Sequence, residues 1–207
     1  MNKVIQKFSS DLFIVVMLGL VSTTAAWTAI QSSLHGGRSS DASSEYQLIL
    51  SDADNLWITS EVKYRDDLSV WKDKQVRVLV DGVSLDDIYS DIRTANGSYE
   101  LYVFAMPCFY ENPKTFLPDC KAYMDGLYNP YTETHKSSEY WTNLSDTEGG
   151  HSNRLQMLTG LFAVSLFLLG VTAVMKVKNL VAYLAMFSVA IWLLGVVVLI
   201  SIPTIFS

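Results

Sequence analysis

Three runs of this sequence contain no charged side chain: Leu12–Ile30, Leu155–Met175 and Leu180–Ile202. At about 1.5 Å rise per residue, each run of roughly 20 residues covers a hydrocarbon core of about 30 Å as a helix. A soluble core helix rarely needs so long an uninterrupted apolar stretch. The spacing therefore predicts three transmembrane helices, at 12–32, 154–175 and 180–203, the last two forming a C-terminal hairpin.

Charge sets the expected topology. Residues 33–153 hold ten Lys/Arg against twenty Asp/Glu, so this segment carries a formal charge of ten minus twenty, −10. Outside it the basic residues are Lys3, Lys7, Arg154, Lys176 and Lys178, and the only acid is Asp11. The four lysines fall on the N-terminus, 1–11, and on the turn 176–179, and short Lys-rich segments stay cytoplasmic. Three spans put both on one side, so the two signals agree. The acidic segment 33–153 and the tail 204–207 then lie outside. An acidic domain stands off an anionic membrane surface, and the charge gives no reason to expect nucleic acid as a partner.

The N-terminal run also has parts of a secretory signal: lysines, an apolar stretch, and the small-x-small sequence Thr24-Ala25-Ala26. The run does not stop at the usual ~7–15 residues but continues through Trp27 and Ile30. A retained span with an interfacial Trp is the expectation.

Within the exterior segment, Tyr46, Leu50, Ala53, Trp57, Tyr64, Leu68 and Trp71 recur at helical steps. They predict one apolar face of an amphipathic helix packed on its own domain. A polar gap at Ser60–Glu61 weakens the alternative, an intermolecular coiled-coil seam. Gly36-Gly37 between span and helix reads as a hinge or a tolerated weakness. The run QVRVLVDG alternates valine with polar residues and suits a strand. Ser84 opens a helix as N-cap, with Asp86 and Asp87 in its first turn and Gly97 as its stop, and another short helix is expected from Pro118. The fold class expected is a mainly α membrane protein with a mostly helical extracytoplasmic domain; α+β is the alternative, because local signals leave 76–106 open.

Cys108 and Cys120 are the only cysteines. Two cysteines in an oxidising compartment predict a disulfide; two buried free thiols are the alternative.

The run AWTAIQSSLHGG, with Trp27, Gln31 and Gly36, resembles the end of the first span in a family of bacterial inner-membrane proteins known as hypothetical, uncharacterised proteins. These have three spans and an exported helical domain. The stretch IYSDIRTANGSYELYVFAMPCFYENPKTFLPDCKAYMDGLYNP is similar to the family's helix, Gly turn, aromatic helix and proline-rich section. The closing hairpin is similar in length and in its final proline. The chain differs in Ile30 at an aromatic position, in its cysteine pair, and in a shorter segment before the second span. The resemblance implies a mainly helical exported domain and no particular activity.

No nucleophile-elbow, phosphate-loop or dinucleotide glycine pattern is present. His35, His135 and His151 lack metal-ligand spacing. His35 is expected as a solvated interfacial side chain, with pH sensing as its alternative. Asp81, Asp86 and Asp87 lack the pattern of a calcium loop. The cluster Tyr99, Tyr102, Phe104, Phe109 and Tyr110 is expected as domain core rather than as a binding groove. Asn96 and Asn143 begin glycosylation sequons.

Between their ends the spans contain no ionisable Asp, Glu, Lys, Arg or His, which argues against an ion pathway. Gln31 and Gln156 sit near the exterior boundary, where water or headgroups are expected to satisfy them. Gly19-x-x-x-Thr23, Gly160, Gly170 and Gly195 permit close helix contact, and Trp192, near mid-span, needs a partner for its indole N–H. The sequence thus favours a non-enzymatic accessory or scaffolding protein of the bacterial inner membrane. It would need no catalytic, cofactor or metal residue, and would contact lipid and either copies of itself or a larger complex. A receptor-like module signalling through Gly36-Gly37 is the alternative, and an oligomeric pore ranks third.

Overall fold

The computed structural model describes residues 11–94, 97–112, 114, 115 and 117–205. Lys3 and Lys7 of the expected cytoplasmic N-terminus, the sequon residue Asn96 and the last two residues lie outside them. The described chain is helical: α1 (Asp11–Leu79), α2 (Leu85–Thr94), a π-helical turn (Leu101–Ala105), α3 (Met106–Glu111), a 3-10 turn (Leu117–Asp119), α4 (Lys121–Val174) and α5 (Lys178–Ile200). Helices α1, α4 and α5 each contain a window long and apolar enough to cross a membrane.

Two compact units divide the chain. One contains Ser44–Trp141; the other runs through Ser43 and resumes at Thr142. In the second unit Met17, Val21, Leu155, Leu158, Phe162, Leu169 and Ile202 form the buried cluster, and large side chains such as Leu12, Phe167, Leu194 and Val197 face outward. An apolar exterior on helices whose own ladders satisfy the backbone is what lipid requires.

In the unit 44–141, no strand occurs among the described residues, which removes the α+β alternative. QVRVLVDG corrects the strand expectation: Gln75 to Leu79 are the last turns of α1. Val78 packs on the core there, so the alternating valines mark one helical face and its flank rather than a pleat. α1 ends where Gly82 takes φ +70° and the Val83 N–H reaches the Arg77 carbonyl at 3.2 Å. The left-handed glycine turns the chain back so that this bond closes on a carbonyl six residues earlier, a stop that favours glycine. Ser84 then caps α2 as expected, its Oγ accepting from the Asp87 N–H at 3.2 Å. The helix expected from Pro118 is a 3-10 turn followed by the much longer α4, which continues through Pro130 and Gly149-Gly150.

Along α1, Ala53, Ser60, Asp67 and Lys74 are buried at intervals of seven, and Trp71 joins them. The Ser60–Glu61 gap is therefore part of the seam. Ser60 Oγ donates to the Leu127 carbonyl of α4 at 2.9 Å, and the Tyr128 hydroxyl donates to Glu61 at 2.6 Å. α1 packs within its own domain, and the seam is polar where each polar group has a partner. Trp57 stays half-exposed, its ring 5.1 Å from Tyr128 and 5.2 Å from Tyr131.

Candidate functional site

A group of interacting polar side chains, with Gln31 and His35 buried, lies in the unit that carries the spans, where α1 leaves its apolar block, α4 approaches its own and α5 has ended. Two octapeptides face each other there: SSLHGGRS at 32–39 on α1 and SDTEGGHS at 145–152 on α4. Both read S-x-x-x-G-G-x-S. The helices pair antiparallel, so the first serine of each meets the last serine of the other. Ser32 Oγ donates to the Ser152 carbonyl at 3.1 Å and Ser152 Oγ to the Ser32 carbonyl at 2.9 Å. Ser39 and Ser145 exchange the same two bonds at 2.9 and 3.1 Å. Such contacts need close helices, and the glycines permit them. A Cβ on Gly36 would lie 3.2 Å from Ser152 Oγ, and one on Gly149 3.1 Å from Ser39 Oγ. The sequence-proposed hinge residues Gly36 and Gly37 thus lie inside the unbroken α1, Gly36 as a close-packing position and Gly37 facing open space.

The fourth position of each octapeptide is the chemical centre. His35 is buried, correcting the expected solvated side chain, and its Nδ1 is hydrogen-bonded to the Glu148 carboxyl. His35 Nε2 meets the Pro203 carbonyl of the C-terminal tail at 3.0 Å. The His151 ring stands 5.2 Å from that of His35, and His151 Nδ1 is buried without a hydrogen-bond partner. One turn before His35, Gln31 is also buried rather than hydrated. Its Nε2 donates to the Ile205 carbonyl at 3.0 Å, and its Oε1 accepts the Ile205 N–H at 2.8 Å. Gln31 and His35 together fasten the tail to α1. Sequence reasoning treated Gln31, Gly36 and Gly37 separately and missed this cluster. The repeated octapeptide was the available signal.

Deeper in the spans, Ser165 and Ser188 are fully buried and exchange hydroxyl-to-carbonyl bonds at 3.0 and 2.8 Å. Trp192 Nε1 donates to Thr24 Oγ1 at 3.2 Å, supplying the expected partner from within the chain. A Cβ on Gly195 would run into the Phe162 ring, so this glycine lets α5 close on α4. Gly19, Gly160 and Gly170 behave differently: a Cβ on any of them would meet nothing within 4 Å. Thr23 Oγ1 donates to the Gly19 carbonyl at 2.9 Å, satisfying itself on its own helix.

In the unit 44–141, Cys108 and Cys120 form a disulfide with Cα atoms 5.9 Å apart. Beside it a buried carboxylate gathers three donors. Asp67 accepts the Ser98 N–H at 2.8 Å and the Tyr123 hydroxyl at 2.9 Å, and also the Ser98 hydroxyl. Burial and the Asp67 charge push the Tyr123 phenol far above its ordinary value. Trp71 Nε1 donates to the Thr115 carbonyl at 3.1 Å, and its ring meets Phe109 edge-on at 4.7 Å. The aromatic cluster divides: Phe109 is core, whereas Tyr99 and Tyr110 are exposed. Tyr102, Val103, Met106, Pro107 and Tyr110 line a shallow groove of about 280 Å³. Asn143 of the second sequon lies on α4 and is exposed. No group of three or more His, Cys, Asp or Glu among the described residues is arranged to hold a metal ion. No protein-family model, curated protein or solved structure matches the chain.

Proposed function

We propose that this chain is a non-enzymatic scaffolding or accessory subunit of a bacterial inner membrane, assembling with itself or with a larger complex through its spans and its exterior domain. The observation that carries the reading is the division of labour among the span residues. Ser165, Ser188, Thr24 and Trp192 satisfy one another inside the chain, while Gly19, Gly160 and Gly170 leave backbone open on outward faces. Small residues on a lipid-facing surface are where a second helix approaches closely. The lysines of the N-terminus and of the turn 176–179 support a cytoplasmic placement for both, with residues 33–153 and the tail extracytoplasmic. Native mass spectrometry after mild detergent extraction tests the proposal. An oligomer or a co-purifying membrane subunit is the expected result, and a lone monomer overturns it. Oxidative cross-linking of a Gly19→Cys variant gives a second readout for self-assembly.

The groove beside Tyr102 and Tyr110 favours a second reading, a receptor-like module taking a small apolar or aromatic ligand and signalling through Gly36-Gly37. A small molecule retained in the same mass spectrum would favour it over the scaffold.

A further inference from the structure

The contacts of His35 fix a proton count. A backbone carbonyl only accepts, so Nε2 facing the Pro203 oxygen must carry a hydrogen. Nδ1 faces the Glu148 carboxyl. A bond there requires a proton as well, either on Nδ1, giving imidazolium against carboxylate, or on Glu148, giving a carboxylic acid against neutral imidazole. Both arrangements hold one proton more than a neutral histidine beside a carboxylate. Once that proton is lost the neutral ring keeps a single hydrogen, which serves Glu148 through Nδ1 or Pro203 through Nε2 but not both, in a site where His35 is 2% and the Glu148 side chain 14% exposed. Water is poorly placed there to relieve the conflict.

We infer that the His35–Glu148 pair is a proton-operated latch that holds the C-terminal tail against α1 when protonated and loosens it when the shared proton is lost. The same imidazole makes both contacts, so when its one remaining hydrogen stays on Nδ1 against the Glu148 carboxylate, Nε2 presents a lone pair to the Pro203 carbonyl and that contact is lost. Gln31 then holds Ile205 alone.

The neighbours that bias the equilibrium are few. From α4, His151 brings a second imidazole 5.2 Å from His35. From α1, Arg38 stands three residues after His35 and is exposed. The described tail, Ser201 to Ile205, carries no titratable side chain, and α5 ends without one. The latch works by this chemistry on whichever side of the membrane the tail lies; under the proposed topology it reads the exterior pH.

The test uses the full-length protein in nanodiscs, with a nitroxide on Thr204→Cys, an exposed tail position beside the latch. The native cysteines are paired with each other and leave this thiol unique. Spectra are recorded from about pH 5 to about pH 10, a range covering ordinary histidine titration and well beyond. The expected result is an immobilised label at the acid end and a mobile component growing to dominance as the pair deprotonates. Glu148→Gln is the decisive variant. Its amide N–H donates to Nδ1 of a neutral His35 without an added proton, so the label should stay immobile throughout. His151→Phe should keep the pH response, with its midpoint shifted. A label that ignores pH in the unmodified chain overturns the latch, as does a response that survives in Glu148→Gln or vanishes in His151→Phe. Should Glu148→Gln not accumulate, His35→Phe replaces it and must give a mobile label at every pH; any remaining pH response overturns the proposal.

Discussion

α1 and α4 are joined in both units, and the two joints use opposite materials. In the unit 44–141 the joint is made of large side chains: Trp71, Phe109, Tyr123 and Leu127 are almost wholly buried, and polar seam positions such as Ser60 and Asp67 are matched one by one. In the unit carrying the spans, Ser165 and Ser188 exchange hydroxyl-to-carbonyl bonds within the apolar blocks and Gly195 admits the Phe162 ring, while just beyond those blocks α1 and α4 meet through serines and glycines. Within the apolar blocks the difference follows from the solvent. Apolar area removed from water stabilises by about 25 cal/mol per Å², which rewards size. Lipid offers no such gradient between helices, so close approach and hydrogen bonds decide the packing. Each substitution below tests one side of that contrast.

The largest effect is expected at Asp67. Asp67→Ala strands the Ser98 N–H and the Tyr123 hydroxyl in a dry core, and each buried donor left unpaired costs about 1–3 kcal/mol. Trp71 fluorescence during urea unfolding of the full-length protein should show the unit 44–141 melting early. The spans should keep their helical circular dichroism. If both units lose structure together, the division between them is energetically empty.

Next comes the disulfide. Its cysteines are separated by 12 residues, and a loop of that size is worth roughly 3 kcal/mol in the chain-entropy model. The Cys108→Ser/Cys120→Ser double variant should lower the same fluorescence midpoint with little change in the span signal. Two thiols that alkylate freely in the untreated protein would contradict the bridge.

In the spans, steric fit should matter more than apolar volume. Gly195→Ala adds one apolar methyl, which would be harmless on an outward face, but it collides with a fully buried Phe162. Overpacking costs about 1–3 kcal/mol, measured as a lower midpoint in a thermal aggregation assay in detergent. Gly160→Ala, which meets open space, is the matched control and should be neutral unless a partner helix lies there. Ser165→Ala, which breaks one reciprocal hydroxyl pair, should cost less, about 0.6 kcal/mol and at most about 1.7.

These contrasts also show what a reader of the sequence had in hand. The spans were legible because charge-free length has few other uses in a protein. The α1 seam was half legible: Tyr64 and Trp71 are visible as a stripe, but Ser60, Asp67 and Lys74 look like solvent positions until their partners are known. QVRVLVDG misled because valine alternation is a local signal and Val78 is settled by a tertiary contact. The latch was hidden for a related reason. His35, Glu148 and Pro203 lie far apart in sequence, and only the repeated S-x-x-x-G-G-x-S marked two of them as facing partners.

The smallest predicted effect is electrostatic and belongs to the unit 44–141. Burial alone would raise the Glu100 carboxyl, but the Lys63 ammonium 2.9 Å away holds it below its ordinary value. Lys74 and Arg77 do the same for the exposed Asp91. A carboxylate with a depressed folded-state pKa binds fewer protons folded than unfolded, so its contribution is complete above the ordinary carboxylate value of 4.5 and disappears as pH falls through the lower folded value. Glu100→Gln should therefore flatten the acid limb of stability in the unit 44–141, by no more than about 1 kcal/mol because Lys63 is exposed, and salt should shrink the difference. The spans carry no carboxylate between their ends, so their midpoint should not move over that acid range. A parallel acid shift in both units would mean that the latch region, with Glu148 at its centre, couples them.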